Sequence, residues 1–249
     1  MQVLTFSTIG DLANFVSYEV IKAIQSFVPT PQKPFFVLGL PTGSTPLPVY
    51  QKLIEACQKG LVSFKNVVTF NMDEYCGLPA HHEQSYHYFM FKNFFDYIDI
   101  PRNQIYILNG MAQDYQEECM QYEEKIASFG GIDIQLAGIG ENGHLAFNEP
   151  NTSFDTPTHL QNLTANTIEV NSRFFYSLDE VPTQALTIGL KTIFDAKQII
   201  IMATGSKKAT AIQKSIEEKI DEACPASMAQ KHPSVVFACD TDAASLLNR

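Results

Sequence analysis

Short apolar runs alternate with amphipathic segments along most of the chain, and this alternation is the feature that most limits the possible folds. Phe35–Leu40 is a continuous apolar run of the kind that forms a buried parallel strand. Residues 8–28 instead place apolar side chains such as Leu12, Val16 and Val20 four positions apart, which is typical of a helix with one buried face. Such alternation predicts an α/β fold in which helices cover both faces of a mostly parallel sheet.

The same patterns predict the other elements of the fold. Helices are predicted at residues 45–58, 84–96, 113–129 and 206–218, and strands at residues 67–70, 132–138, 185–190, 198–203 and 234–238. No linker, low-complexity segment or internal repeat interrupts this series. A chain of 249 residues can form one large α/β domain or two small ones, and the unbroken alternation favours a single domain over residues 1–249.

Composition limits the partners and the compartment. The formal charge of −10 argues against a nucleic-acid or anionic membrane surface as partner, although it permits an anionic metabolite held by a few local donors. No apolar run approaches the roughly 20 residues that a transmembrane helix needs. The five cysteines are widely spaced, odd in number and in no C-x-x-C pair. They predict reduced thiols in a cytoplasmic protein.

The segment Gly138–Pro150 follows a predicted strand and carries the most chemistry of any stretch in the chain. It contains an amide at Asn142, an imidazole at His144 and a carboxylate at Glu149. Open α/β sheets bind ligands at the carboxyl ends of their strands. A histidine with a carboxylate partner is suited to moving protons near neutral pH.

The glycines of this segment also match the dinucleotide-binding pattern G-x-G-x-x-G at positions 138, 140 and 143. That pattern requires a helix that opens at its third glycine and an acidic residue about 20 positions later. Here Pro150 leaves room for only a very short helix, and neither Asp155 nor Glu169 ends a convincing strand. We therefore interpret these glycines as positions that let the backbone turn tightly and approach a ligand. A nicotinamide or flavin site is the alternative interpretation.

The turn Leu40–Pro46 joins a predicted strand to a predicted helix and contains a glycine. Thr45 is a candidate helix cap and Pro46 occupies the favoured first helical position. Free amides and hydroxyls at a helix N-terminus can bind phosphate, but a simple capping turn has the same pattern. The Gly-Lys-Ser/Thr ending of a P-loop is missing, so a nucleoside triphosphate is not indicated.

Two more strand ends carry charged residues. Asp73 and Glu74 follow the strand at residues 67–70 and, being adjacent, should point in different directions and perform different tasks. Two adjacent acidic residues in a loop are equally typical of side chains that are exposed to solvent or that cap another element. Lys207 and Lys208 open the helix at residue 206, where cations oppose the helix dipole unless an anion lies between them.

These segments together resemble the glucosamine-6-phosphate deaminase family. The matching blocks occur in family order and are residues 38–46, 68–75, 138–150, 171–175 and 205–209. The resemblance implies conversion of glucosamine 6-phosphate and water to fructose 6-phosphate and ammonia, with no metal or organic cofactor. It also implies a three-layer, modified doubly wound sheet in a single domain.

The resemblance further implies a role for each matching residue. His144 would open the sugar ring, with Glu149 and Asn142 orienting its imidazole, and Asp73 would be the base that moves a proton from C2 to C1. The implied phosphate clamp consists of Thr42, Gly43, Ser44, Thr45, Arg173 and Lys208. Arginine offers a fork that matches phosphate oxygens, and lysine adds a point charge.

Some positions depart from the family pattern. Some relatives have Asp where this chain has Asn142, which adds no negative charge beside the imidazole. Residues 151–163 lack the cations of the allosteric pocket found in the larger members, and the chain stops early. We therefore expect a non-allosteric enzyme that is a monomer or a small homo-oligomer. The alternatives are a 6-phosphogluconolactonase, which shares the fold, and a sugar-phosphate sensor with a disabled site.

Overall fold

The computed structural model describes residues 1–173 and 175–248, which contain ten strands and seven α-helices. The strands are β1 (Gln2–Phe6), β2 (Phe36–Leu40), β3 (Val67–Asn71), β4 (Asp73–Tyr75), β5 (Ile105–Tyr106), β6 (Ile134–Gly138), β7 (His159–Asn162), β8 (Gln184–Thr187), β9 (Gln198–Ala203) and β10 (Val235–Asp240). The helices are α1 (Ile9–Ser26), α2 (Leu47–Gln58), α3 (Tyr86–Asn93), α4 (Tyr115–Ser128), α5 (Ala165–Ser172), α6 (Leu190–Phe194) and α7 (Ala209–Glu217).

Seven strands form one sheet in the order β1-β10-β9-β6-β2-β3-β5, and the described pairings are all parallel. From β2 the chain proceeds outward through β3 to β5, whereas from β6 it proceeds the other way through β9 to β10. The order of the strands therefore reverses between β2 and β6. Ligands of open α/β sheets bind in the crevice at such a switch point, beyond the carboxyl ends of the strands.

Apolar side chains of alternate strand residues enter two cores, one on each face of this sheet. In β2, Val37 packs into the core that contains residues of α4, α6 and α7, and Leu38 packs into the core that contains residues of α1, α2 and α3. Both side chains are fully buried. Strands buried on both faces explain the continuous apolar runs in the sequence. The predicted α/β class, with three layers and a mostly parallel sheet, is confirmed.

A second, antiparallel sheet in the order β4-β8-β7 lies outside the main one. The strand predicted at residues 185–190 forms as Gln184–Thr187, but it belongs to this small sheet and not to the parallel sheet. β8 pairs with β4 so that Thr187 lies opposite Asp73. Ile188 also donates its backbone N–H to the Met72 carbonyl oxygen at 2.7 Å. The small sheet therefore fixes the segment that follows β3.

Some element boundaries differ from the prediction. α2 begins at Leu47 with Pro46 as its N-cap residue, so the predicted cap at Thr45 is wrong. The helix predicted at residues 206–218 starts with a 3-10 turn over Ser206–Lys208 before α7. All five cysteines are free thiols. Within residues 1–173 and 175–248, no helix has both the length and the apolar character needed to cross a membrane.

Candidate active site

A cavity of about 900 Å³ opens at the switch point of the main sheet, between the loops that follow β2 and β6. Nine of the ten predicted site residues line it: Thr42, Gly43, Ser44, Thr45, Asp73, Asn142, His144, Arg173 and Lys208. The tenth, Glu149, is buried behind His144. The geometry thus brings together residues that are up to 166 positions apart in sequence (Thr42 to Lys208).

Asp73 is a buried carboxylate on the wall of this cavity. It begins β4 directly after Met72, whose N–H donates to the Leu40 carbonyl oxygen at 3.1 Å. The Asp73 side chain is only 7% exposed, and its Oδ1 atom has no hydrogen-bond partner among the described residues. Burial, and then the neighbouring charge of Glu74, raise the pKa of Asp73 to about 8. A carboxylate with such a pKa is a stronger base than an exposed one.

Glu74 points away from Asp73 and caps helix α3. One of its carboxylate oxygens accepts the N–H groups of Tyr75 and Tyr86, and the other accepts that of His87, each at 2.8 Å. Negative charge at a helix N-terminus is favourable. Burial nevertheless raises the pKa of Glu74 to about 7. Of the two interpretations of the acidic pair, capping therefore holds for Glu74, and a solvated pair does not form.

The loop after β6 turns tightly and folds back on itself. The Gly140 N–H donates to the His144 carbonyl oxygen at 2.8 Å, and a Cβ atom at Gly140 would lie 2.3 Å from the His144 ring. Gly143 has a φ of +87°, which favours glycine. The next described helix, α5, begins only at Ala165. Because no helix opens at Gly143, the loop lacks the framework of a dinucleotide site.

His144 and Glu149 face each other in this loop. The Nδ1 atom of His144 lies 3.7 Å from Glu149 Oε2, which is longer than a hydrogen bond. Burial lowers the pKa of His144 despite the opposing charge of Glu149. Asn142 contacts the backbone and the acid instead of the imidazole: its Oδ1 accepts the His144 N–H at 3.2 Å, and its Nδ2 donates to Glu149 Oε2 at 3.2 Å.

The other end of the cavity is cationic and rich in backbone donors. The partly exposed turn at residues 42–45 lies just before α2, whose first N–H groups have no intrahelical partners. Lys208 is half-buried, and burial lowers its pKa, with nearby Glu141 opposing that shift. Arg173 follows α5 and lowers the pKa of Lys208 further by its charge. These groups can hold an anion such as a phosphate.

Sequence reasoning missed the aromatic wall and one hydroxyl of the cavity. Tyr75, Tyr86, Phe147 and Phe175 line it, and the Tyr75 and Tyr86 rings lie 4.8 Å apart between centroids. Thr167 also lines it. Tyr75, Phe147 and Phe175 are in the matching blocks and could have been found there. Tyr86 and Thr167 gave no signal because they reach the cavity only through the packing of α3 and α5.

In the part of the chain that the structure describes, no group of three or more His, Cys, Asp and Glu side chains is arranged to hold a metal ion. The acid and base groups of the cavity are instead distributed along its wall. Proton transfer and anion binding are the chemistry that these side chains can perform directly.

Comparison with known proteins decides the family. Residues 8–237 match the model of the glucosamine-6-phosphate isomerases and 6-phosphogluconolactonases. The chain belongs to this family. The resemblance seen in the five sequence blocks is thereby confirmed.

Similar curated proteins are named glucosamine-6-phosphate deaminase. One from Fusobacterium nucleatum is 51% identical over 94% of this chain and 86% of its own length. Another from Dictyostelium discoideum is 52% identical over 85% of this chain and 79% of its own. A third from Treponema denticola is 48% identical over 98% and 90%.

Among solved structures, a monomeric glucosamine-6-phosphate deaminase matches with a TM-score of 0.93 and 41% identity, over 99% of this chain and all of that one. A 6-phosphogluconolactonase from Trypanosoma brucei matches with a TM-score of 0.81 but only 18% identity, over 99% and 98%. The second likeness shows a shared fold alone.

Proposed function

We propose that this chain is a glucosamine-6-phosphate deaminase, which converts glucosamine 6-phosphate and water to fructose 6-phosphate and ammonia. The observation that carries the proposal is the joining, in one cavity, of the buried base Asp73, the imidazole of His144 and the cations Lys208 and Arg173. The relatives that are about half identical and bear this name support the same activity.

In the proposed mechanism the phosphate binds first at the cationic end. Arg173 supplies a fork of N–H donors, Lys208 a point charge, and the turn at residues 42–45 its backbone and hydroxyl donors. The sugar then extends toward Asp73 and His144. His144 moves a proton between the anomeric hydroxyl and the ring oxygen, which opens the ring. Because its pKa is lowered by burial, the imidazole is available as a proton acceptor near neutral pH.

Asp73 then acts on the open aldehyde in its ionised form, which is the minor form near neutral pH because its pKa is raised to about 8. It takes the proton from C2 while the aldehyde oxygen gains a proton from solvent, which leaves an enamine with a hydroxyl on C1, and it then delivers its own proton to C1. The product is an imine at C2. Water adds to this imine carbon and ammonia leaves, which gives the ketone of fructose 6-phosphate. The carboxylate of Asp73, which lines the cavity, is the acceptor for the C2 proton.

We also propose a monomer of one domain in the cytoplasm. The monomeric relative at 41% identity supports the assembly. The five free thiols and the net charge of −10 support a reducing compartment without nucleic-acid or membrane partners. A phosphosugar is the small-molecule partner.

An assay with two substrates tests the proposed activity. We expect the protein to release ammonia and fructose 6-phosphate in equal amounts from glucosamine 6-phosphate, and to leave 6-phosphogluconolactone at its spontaneous rate of hydrolysis. Asp73→Asn is the control for contaminating enzymes, because loss of a general base costs about 10²–10⁴ in rate. Accelerated lactone hydrolysis without ammonia release would assign the chain to the other activity of its family.

A further inference from the structure

A hydroxyl on helix α5 holds the carboxylate that faces His144. The Oγ1 atom of Thr167 donates a hydrogen bond to Glu149 Oε1. Thr164, which caps the same helix, also approaches Oε1, at 3.3 Å. Thr167 is 9% exposed and lines the cavity, and its hydroxyl contacts a buried acid.

We propose that Thr167 is a positioning residue for the ring-opening step, acting on His144 through Glu149. The two oxygens of Glu149 have separate partners: Oε1 accepts from the threonines, and Oε2 accepts from Asn142 and faces the imidazole. Because Oε1 is held, the carboxylate cannot rotate freely about its terminal bond. The proposal rests on the function proposed above, in which His144 opens the ring.

The distance between His144 and Glu149 makes this orientation matter. At 3.7 Å, Nδ1 and Oε2 are just beyond hydrogen-bond range, and catalytic contacts of this kind often tighten when substrate binds. A small rotation of the carboxylate decides whether the pair closes or separates. Without Thr167, Oε1 would retain, among the hydrogen bonds of the described residues, only the longer one from Thr164.

Helix α5 also connects this contact to the cationic end of the cavity. Thr164 and Thr167 lie in its first turn, and Arg173 is its C-cap residue. A phosphate bound by Arg173 would therefore hold the same helix that orients Glu149.

Two substitutions at one position separate this role from simple packing. Thr167→Val keeps the shape and removes the hydroxyl, whereas Thr167→Ser keeps the hydroxyl. A matched control is Thr192→Val, because Thr192 is a buried threonine on α6 whose hydroxyl also donates to a carboxylate, that of Glu123, outside the cavity. Each protein is assayed with glucosamine 6-phosphate and with an analogue that lacks both the C4 and the C5 hydroxyls and so cannot close a furanose or a pyranose ring.

For Thr167→Val we expect kcat on glucosamine 6-phosphate to fall about tenfold, as for the loss of one hydrogen bond to a charged group, with KM within about twofold. The rate on the open analogue should stay within about twofold of wild type, since it bypasses ring opening. Thr167→Ser should recover the wild-type rate, and Thr192→Val should change neither rate. Equal losses on both substrates, or an unchanged kcat in Thr167→Val, would overturn the proposal.

Nuclear magnetic resonance of the His144 imidazole provides a readout that does not depend on activity. We expect its ring signals to shift in Thr167→Val and to return in Thr167→Ser, without change in Thr192→Val. A wild-type protein that released no ammonia would refute the proposed function, while these signals would still test the contact. Unmoved His144 signals in Thr167→Val would refute the positioning role even in an active enzyme.

Discussion

Asp73→Asn should make the protein more stable while it removes activity. The carboxyl group of Asp73 is buried, and its pKa is raised from an ordinary value of 3.8 to about 8 by burial and by Glu74. Near neutral pH the group is ionised in the unfolded chain but largely protonated in the folded one. Folding must therefore take up a proton, which costs free energy that an uncharged asparagine avoids.

The size of the effect follows from the pKa difference. Each pH unit above the unfolded pKa of 3.8 adds about 1.4 kcal/mol to the cost, until the folded pKa of about 8 is reached. At pH 7 the largest gain that ionisation alone can give is about 4 kcal/mol. The pKa of Asp73 is higher in the folded protein than in the unfolded chain. The contribution of this group to the stability of the wild-type protein is therefore fully present below pH 4 and is lost as the pH rises toward 8.

Urea denaturation of both proteins between pH 4 and pH 9 measures this difference. We expect the two to be nearly equal in stability at pH 4, and Asp73→Asn to be more stable by roughly 2 kcal/mol or more at pH 8. The kcat of the same variant should fall about 10²–10⁴-fold. A variant that is no more stable than wild type at pH 8, or a difference that does not grow with pH, would refute the reasoning.

Asp99→Asn is a control of opposite sign. Burial raises the pKa of Asp99, but the combined hydrogen bonds, above all from the Ser63 hydroxyl and the Phe64 N–H, outweigh it and leave the pKa below its usual value. A lowered folded pKa contributes stability above the unfolded pKa, and this contribution is lost as the pH falls. Asp99→Asn should therefore destabilise the protein at pH 7 and leave kcat unchanged.

Three further predictions concern the rest of the site. His144→Gln should slow ammonia release from glucosamine 6-phosphate more than from the analogue lacking the C4 and C5 hydroxyls, and equal losses would mean that His144 serves another step. Lys208→Ala should raise the KM for the phosphorylated sugar about ten- to a hundredfold. Lys207→Ala should leave the KM unchanged, because Lys207 is an exposed neighbour outside the cavity. Equal KM values for the two variants would place the phosphate clamp elsewhere. The rate should depend hyperbolically on the concentration of glucosamine 6-phosphate, and N-acetylglucosamine 6-phosphate should not change this curve, because residues 151–163 carry no lysine or arginine. A sigmoidal curve that becomes hyperbolic when N-acetylglucosamine 6-phosphate is added would contradict this prediction.

The strands of the main sheet were predictable where burial on both faces produced long apolar runs. β9 forms at the predicted residues, Gln198–Ala203, and β2 begins within one residue of its predicted start. β4 was not predictable, because it has three residues, two of them acidic, and exists only by pairing with β8. Local pattern carries no signal for a strand that depends on a partner more than a hundred residues away.

The site also has a part that was predictable from the sequence and a part that was not. The residues of the glycine-rich loop and the acidic pair stood out because polar groups at strand ends are the places where α/β sheets bind ligands. Their contacts were not predictable: Glu74 caps a helix that begins twelve residues later, and Thr167 reaches Glu149 across eighteen residues. Asn142 was expected to orient the imidazole together with Glu149, and the contacts that it makes are with the Glu149 carboxylate and the His144 backbone.

The most direct test of the mechanism is the position of deuterium in the product formed in deuterium oxide. If Asp73 removes the C2 proton and returns one to C1, deuterium should occupy one of the two stereochemically distinct hydrogen positions on C1 of fructose 6-phosphate. This label should appear in each product molecule for which the proton on Asp73 exchanged with solvent, and one ammonia should be released per product. Substrate labelled with deuterium at C2 should lose that label from C2 entirely. Formation of glucose 6-phosphate, which still holds its C2 hydrogen, would show displacement of the amine without isomerisation and would contradict the account.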